Sequence, residues 1–162
     1  LFLPYLSGER TPHPDPHARG AFIGLSLRHG MGHMARSVLE GVSFGLNDSL
    51  TLMKRLGINP SNVVLTGGGT RSSLWKQMLA DVFESTCTLV NAQEGAAYGA
   101  AMLAAVGVKI KNSVEEVSRE WIKETERILP NRKIETYRKL YSQYVQLYPS
   151  LKDHFYSMSK LF

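Results

Sequence analysis

An α/β fold, built on a thin and mostly parallel sheet with flanking helices, is what the sequence predicts. Three observations predict it. A short strand pattern rich in β-branched residues at 63–66 runs into Gly67, Gly68 and Gly69, and then into a helical pattern over about 72–84. A second strand pattern at 87–90 leads into a helix rich in Ala and Gly at 94–106. A long helical periodicity over 32–56 precedes both, and strands alternating with helices indicate a parallel sheet layered between helices. Two strands, with 21–25 as a third candidate, make a small sheet, so the opening strands of a complete domain are expected to lie outside this chain. A first residue that is Leu1 rather than Met fits the same expectation.

The bulk numbers place the chain among ordinary globular proteins. It has 162 residues, 43% hydrophobic and 20% charged, and a chain of this size buries roughly 70% of its unfolded surface. No disulfide staple is required, and none can form within the chain, since Cys87 is the only cysteine. In its apolar setting Cys87 reads as a small buried hydrophobe rather than a nucleophile. The 162 residues show no signal-peptide pattern and no apolar run of membrane-spanning length, so a cytoplasmic location is expected. The formal charge of +5 suits a partner such as an anionic nucleotide. The basic residues are spread along the chain without interleaved aromatics, which argues against a nucleic-acid-binding domain.

Residues 1–20 carry Pro4, Pro12, Pro14 and Pro16 and read as an irregular segment, because proline interrupts helix interiors and central strands. In the helix at 32–56, Met34, Val38, Val42, Leu46, Leu50 and Met53 recur at steps of three or four residues, and Gly57 ends it. Gly41 and Gly45 lie inside that helix, where each costs about 1 kcal/mol relative to Ala. They are expected to face an element whose backbone comes close. From Ser113 onward the sequence is polar and reads as helices, with a turn at 130–132; the stripe Tyr137, Tyr141, Tyr144 reads as core.

The segment with the strongest chemical content is the glycine cluster. Glycines without a Cβ let backbone N–H groups approach an anion, and the helix that follows adds free N–H groups and a favourable dipole. Ser72 or Ser73 is placed to cap that helix. The pattern matches neither a P-loop nor a dinucleotide fingerprint, and a plain strand-to-helix turn accounts for it equally well. The turn is expected at the carboxyl end of its strand, where open α/β sheets bind ligands. A side chain at Gly68 or Gly69 would then intrude on a nucleotide. The small residues of Gly95, Ala96, Ala97, Gly99, Ala100 and Ala101 read as a close-packed structural helix. Glu9 and Arg10 sit in a rigid loop that could face a cleft. His13, His17, His29 and His33 show no metal-ligand spacing, and no metal site is predicted.

Two runs then carry a family resemblance. Gly20-Ala21-Phe22-Ile23-Gly24-Leu25, seven residues, and His33-Met34-Ala35-Arg36-Ser37-Val38-Leu39-Glu40 resemble the C-terminal signature of the FGGY carbohydrate kinases. Thr66-Gly67-Gly68-Gly69, with Ser72 and Leu74-Trp75, resembles that family's adenosine-binding turn, and residues 94–101 resemble its next helix. The loop 7–13 with Asp15-Pro16 looks like the xylulose-kinase branch. The spacing from Gly20 to Glu40 argues against a non-catalytic actin-like nucleotide-binding module.

The resemblance implies part of the second domain of an actin-like, ribonuclease-H-like ATPase fold. On that reading 1–162 is a partial C-terminal domain: a loop and short strand at 1–30, a nucleotide-binding α/β core at 31–107 and C-terminal helices at 108–162. It implies ATP, with Mg²⁺, as cofactor and a small sugar, D-xylulose first, as substrate. Gly67, Gly68 and Gly69 would touch ATP through backbone groups, and Ser72 would contact adenine or ribose. It places the catalytic Asp and the sugar pocket upstream, and Asp15, Asp48 and Asp81 match no catalytic motif. The remaining part of the same enzyme is the implied partner, a homodimer is permitted, and neither nucleic acid nor membrane is expected. The 162 residues by themselves are expected to phosphorylate no D-xylulose; ATP-dependent turnover above background in the purified chain would refute this.

Overall fold

The structure is a computed structural model, and it describes residues 1–92, 94–131 and 133–161. The chain forms two compact units, one of Leu1–Pro60, Asp81–Phe83 and Arg132–Phe162, the other of Ser61–Ala80 and Glu84–Asn131.

In the first unit the proline-rich segment is less irregular than its composition suggests. β1 (Phe2–Leu3) pairs antiparallel with β2 (Ala21–Phe22), Phe2 opposite Phe22 and Leu3 opposite Ala21. The strand expected at 21–25 is therefore only two residues long and belongs to a separate two-stranded ladder; Gly24, at φ +79°, follows it. Between the two strands, Glu9 and Asp15 exchange both backbone hydrogen bonds at 3.0 Å, which closes the loop around Pro12 and Pro14.

α1 (Met31–Arg55) matches the predicted long helix within a residue at each end. Its buried face carries Gly41, Ser43, Phe44, Asn47, Asp48 and Leu50, the spacing expected of a helix with one face turned to a core. The helix ends as predicted. Gly57 takes φ +83°, its N–H donates to Lys54 O, and the N–H of Ile58 donates back to Met53 O, both at 3.0 Å. This is a Schellman closure, which needs a left-handed residue that glycine supplies without strain. Gly41 has the close backbone neighbour expected of it: a Cβ there would lie 2.2 Å from the carbonyl oxygen of Phe2. Gly45 faces side chains instead, with Tyr144 Oη at 3.4 Å and Pro4 Cγ at 3.6 Å.

α5 (Ile134–Tyr144) and α6 (Leu147–Met158) complete this unit. Tyr137, Tyr144, Tyr148 and Phe155 are buried, so most of the tyrosine stripe is core as expected. Phe44 is fully buried, with ring centroids of Tyr137, Tyr141 and Tyr144 at 6.2, 5.8 and 5.3 Å.

The second unit holds the main sheet, in the order β3 (Asn62–Leu65), β4 (Thr86–Val90), β5 (Glu124–Ile128). β3 and β4 are parallel, as the sequence predicts, but β5 joins β4 antiparallel. The sheet is thus mixed, and the segment from Ser113 is not wholly helical. β5 reads Glu-Thr-Glu-Arg-Ile with only Ile128 buried, so its strand carries no apolar alternation and leaves no signal in the sequence. The turn expected between two helices at 130–132 instead leads from β5 toward α5, and Arg132 lies outside the described residues.

The sole cysteine behaves as expected. Cys87, on the central strand, is free and fully buried, and burial pushes its thiol up to about 11. α2 (Ser73–Phe83) follows β3, while α3 (Gly95–Gly107) and α4 (Val114–Trp121) lie between β4 and β5. α4 is capped by Ser113, whose Oγ accepts from Glu116 N–H at 3.2 Å. Tyr98 Oη donates to Trp121 O at 3.1 Å and ties α3 to α4. The close-packed reading of α3 is corrected: a Cβ added at Gly95, Gly99 or Gly107 meets nothing within 4 Å, and only Met102 and Ala105 are buried. The small residues leave that face open among the described residues. No described helix is long and apolar enough to cross a membrane.

Candidate functional site

The glycine cluster sits where the sequence puts it, at the carboxyl end of β3. Gly67 takes φ +87°, a conformation closed in practice to residues with a Cβ, and this turns the chain out of the strand. Gly68–Arg71 then make one turn of 3₁₀ helix. Within it Thr70 N–H and Thr70 Oγ1 both donate to Gly67 O, at 3.1 and 2.7 Å, and Ser72 N–H donates to Gly69 O at 3.2 Å. Of the two candidate caps it is Ser72 that begins α2: its backbone is extended, and its Oγ accepts from Trp75 N–H at 3.3 Å.

This geometry narrows the expected anion site. The amides of Thr70 and Ser72 are consumed inside the turn, whereas those of Gly68 and Gly69 take no acceptor among the described residues. The three glycines also differ in what surrounds them. A Cβ at Gly67 or Gly68 would meet nothing within 4 Å, and both residues are exposed. A Cβ at Gly69 would fall 2.3 Å from Cζ3 and 2.7 Å from Cε3 of Trp75. Gly69 is therefore glycine because the indole of the next helix covers it. The expectation that a side chain at Gly69 meets a ligand first is corrected, since it meets Trp75 first. Ser72 stands at the same end of α2, its hydroxyl oxygen serving the helix while its own proton stays available to another acceptor.

The other candidates take structural places. Glu9 Oε1 accepts the backbone N–H groups of Arg10 and Thr11, at 2.6 and 3.0 Å, so it braces its own loop. Asp15 Oδ2 accepts from Tyr148 Oη at 2.8 Å and Oδ1 from His17 N–H at 2.8 Å. Slight burial pushes its carboxyl up, but these two hydrogen bonds outweigh that and hold it below the usual carboxylate range. Asp81 is buried. His13 stacks on Tyr148 at 3.9 Å, His17 meets the edge of Tyr156, and His29 and His33 meet edge to face. Among the described residues no group of three or more His, Cys, Asp or Glu is arranged to hold a metal ion.

Comparison with known proteins bears directly on this arrangement. Residues 1–108 match the model of the FGGY family of carbohydrate kinases, C-terminal domain. The chain belongs to the FGGY family of carbohydrate kinases. It is 40% identical over 153 residues to a xylulose kinase of Staphylococcus xylosus, covering 94% of this chain and 31% of that protein. Among solved structures it superposes on a ligand-bound xylulose kinase from Lactobacillus acidophilus with a TM-score of 0.88 at 30% identity, over 98% of this chain and 32% of that one. A gluconate kinase from Lactobacillus acidophilus superposes with a TM-score of 0.86 at 31% identity, over 98% and 32%. The fold is thus that of the FGGY sugar kinases, the actin-like ATPase fold. The chain spans about a third of the length of the relatives it matches.

Proposed function

We propose that this chain supplies the nucleotide-binding portion of an ATP-dependent sugar kinase, one that transfers the γ-phosphoryl group of ATP to D-xylulose and gives D-xylulose 5-phosphate. The observation that carries this reading is the turn after β3. It combines two amides that take no acceptor among the described residues, an open flank at Gly67 and Gly68, and the start of α2, in a chain of the carbohydrate kinase family. Phosphoryl transfer is mainly positioning and electrostatic stabilisation, so a rigid backbone cradle of this kind holds and orients the nucleotide. In this role Gly68 and Gly69 present N–H groups to the α-phosphate or the adenosine. Gly67 supplies the bend, and Ser72 offers its hydroxyl proton to the ribose or base while capping α2. Mg²⁺ accompanies the phosphates of ATP in such reactions. No described residue cluster on this chain fits the ion. A cytoplasmic location goes with this reading.

The nucleotide role is tested in the full-length enzyme with Gly68→Val, because a side chain there meets open space and not the protein. The apparent KM for ATP is expected to rise about tenfold or more while that for the sugar stays within about twofold. An unchanged ATP KM in a folded variant would remove the turn from the site. Gly69→Val is the poorer test, since displacing Trp75 would disturb α2 whether or not a nucleotide binds. The substrate is tested by comparing kcat/KM for D-xylulose, D-ribulose, gluconate and glycerol. D-xylulose is expected to be highest, and a higher value for gluconate would favour the second reading that the gluconate kinase superposition supports.

A further inference from the structure

The first unit contains a cavity of about 180 Å³ that shares no residue with the glycine turn. Its walls come from the N-terminal loop (Tyr5, His13), from α1 (Asp48, Thr51, Arg55) and from the C-terminal helices (Tyr141, Tyr144, Tyr148). Pockets for drug-sized ligands run to roughly 300–1,000 Å³, so this one suits a smaller molecule. The floor is polar and buried: Asp48 is 7% exposed, Tyr5 2% and Tyr144 1%. Tyr144 Oη donates to Tyr5 Oη at 3.4 Å, Tyr5 Oη to Asp48 Oδ2 at 3.5 Å, and Tyr141 Oη to Asp48 Oδ1 at 2.6 Å. Arg55, two helical turns beyond Asp48 and so about 10 Å further along α1, is exposed at the mouth.

A buried carboxylate is normally paired with a cation or saturated with donors. Asp48 has one short and one long phenolic hydrogen bond and no ion pair among the described residues, so its oxygens retain acceptor capacity. Burial accordingly pushes its carboxyl up, against the hydrogen bond from Tyr141, the charge of His13 on the cavity wall and the hydrogen bond from Tyr5. The charges select the class of ligand. A cation would pass Arg55 and His13 to reach the floor, and an anion would be repelled by Asp48. A neutral molecule rich in hydroxyl donors meets neither obstacle, and the tyrosine rings offer its C–H faces an apolar wall.

We propose that this cavity binds a small neutral polyol of about pentitol size, with adjacent hydroxyls donating to Asp48 and its far end meeting Thr51 and Arg55. The inference rests on the cavity alone and stands apart from the kinase reading.

The experiment is calorimetric titration of the 162-residue chain with xylitol, alongside tetramethylammonium chloride and inorganic phosphate. Saturable one-to-one binding of xylitol is expected, with no saturable binding of the two ions. In Asp48→Asn, checked for fold by circular dichroism, the xylitol affinity is expected to fall about tenfold or more, the scale of a lost charged hydrogen bond. Should that variant unfold, Thr51→Val at the half-buried wall decides, with an expected fall of at least about threefold. No xylitol binding, an affinity unchanged in the folded variant, or tighter binding of either ion would overturn the proposal.

Discussion

Phe44→Ala is expected to destabilise the protein by about 3–5 kcal/mol, the range for removing a large aromatic from a packed core. Phe44 has no exposed surface and sits among the rings of Tyr137, Tyr141 and Tyr144, the closest centroid at 5.3 Å. Two effects add. The transfer of the ring out of an apolar site is lost, and the space it leaves is bounded by three large aromatic side chains whose hydroxyls are fixed by hydrogen bonds. Tyr137 Oη accepts from Arg36 at 3.1 Å, Tyr141 Oη donates to Asp48 at 2.6 Å and Tyr144 Oη donates to Tyr5 at 3.4 Å. Rings anchored at their far ends cannot collapse inward, so the cavity persists and the loss should fall high in the range. Urea denaturation followed by tyrosine fluorescence and far-ultraviolet dichroism measures it. A loss below about 1 kcal/mol with an unchanged m-value would mean that this cluster does not form the core of the unit.

Gly41→Ala should invert an ordinary rule. Alanine in a helix interior is better than glycine by about 1 kcal/mol, yet here the new Cβ would lie 2.2 Å from Phe2 O and 3.1 Å from the Phe2 carbonyl carbon. Neither atom belongs to a flexible side chain. β1 would have to move off α1, and with it Leu3, which is fully buried beside the ladder to β2. Overpacking of this kind costs about 1–3 kcal/mol, and a backbone obstacle places it at the upper end, for a net loss of about 2 kcal/mol. Gly32→Ala is the control, in the same helix but with nothing within 4 Å of the new atom. It should be neutral or stabilising by up to about 1 kcal/mol. If Gly41→Ala matched it in thermal and urea denaturation, the close approach of β1 to α1 would be wrong.

Much of this fold was legible in the residues, and the places where it was not share a cause. The period of α1 and the stop at Gly57 were readable because both are local: an apolar spacing and a left-handed residue after the last turn. The same holds for the strand, glycine turn and helix from Asn62 to Phe83, and for a serine cap at 72 or 73, of which the structure chose Ser72. β5 was not readable, because four of its five residues face solvent and its pairing with β4 is its only strand character. α3 misled in the opposite direction. Small residues are compatible with close packing but do not enforce it, and here their face is open among the described residues.

The candidate site divides along the same line. By itself the sequence determined the family and the glycine turn at the end of a strand. Those features depend on residue type and short-range order. Only the tertiary structure decided which glycine is open and which is covered, since Gly68 and Gly69 are indistinguishable until Trp75 comes back across the turn. It alone also brought Tyr5, Asp48 and Tyr141 into one hydrogen-bonded floor across 43 and 93 residues of chain. Such a contact is set by how α1, the N-terminal loop and α5 pack. No local pattern of charge or hydropathy encodes it.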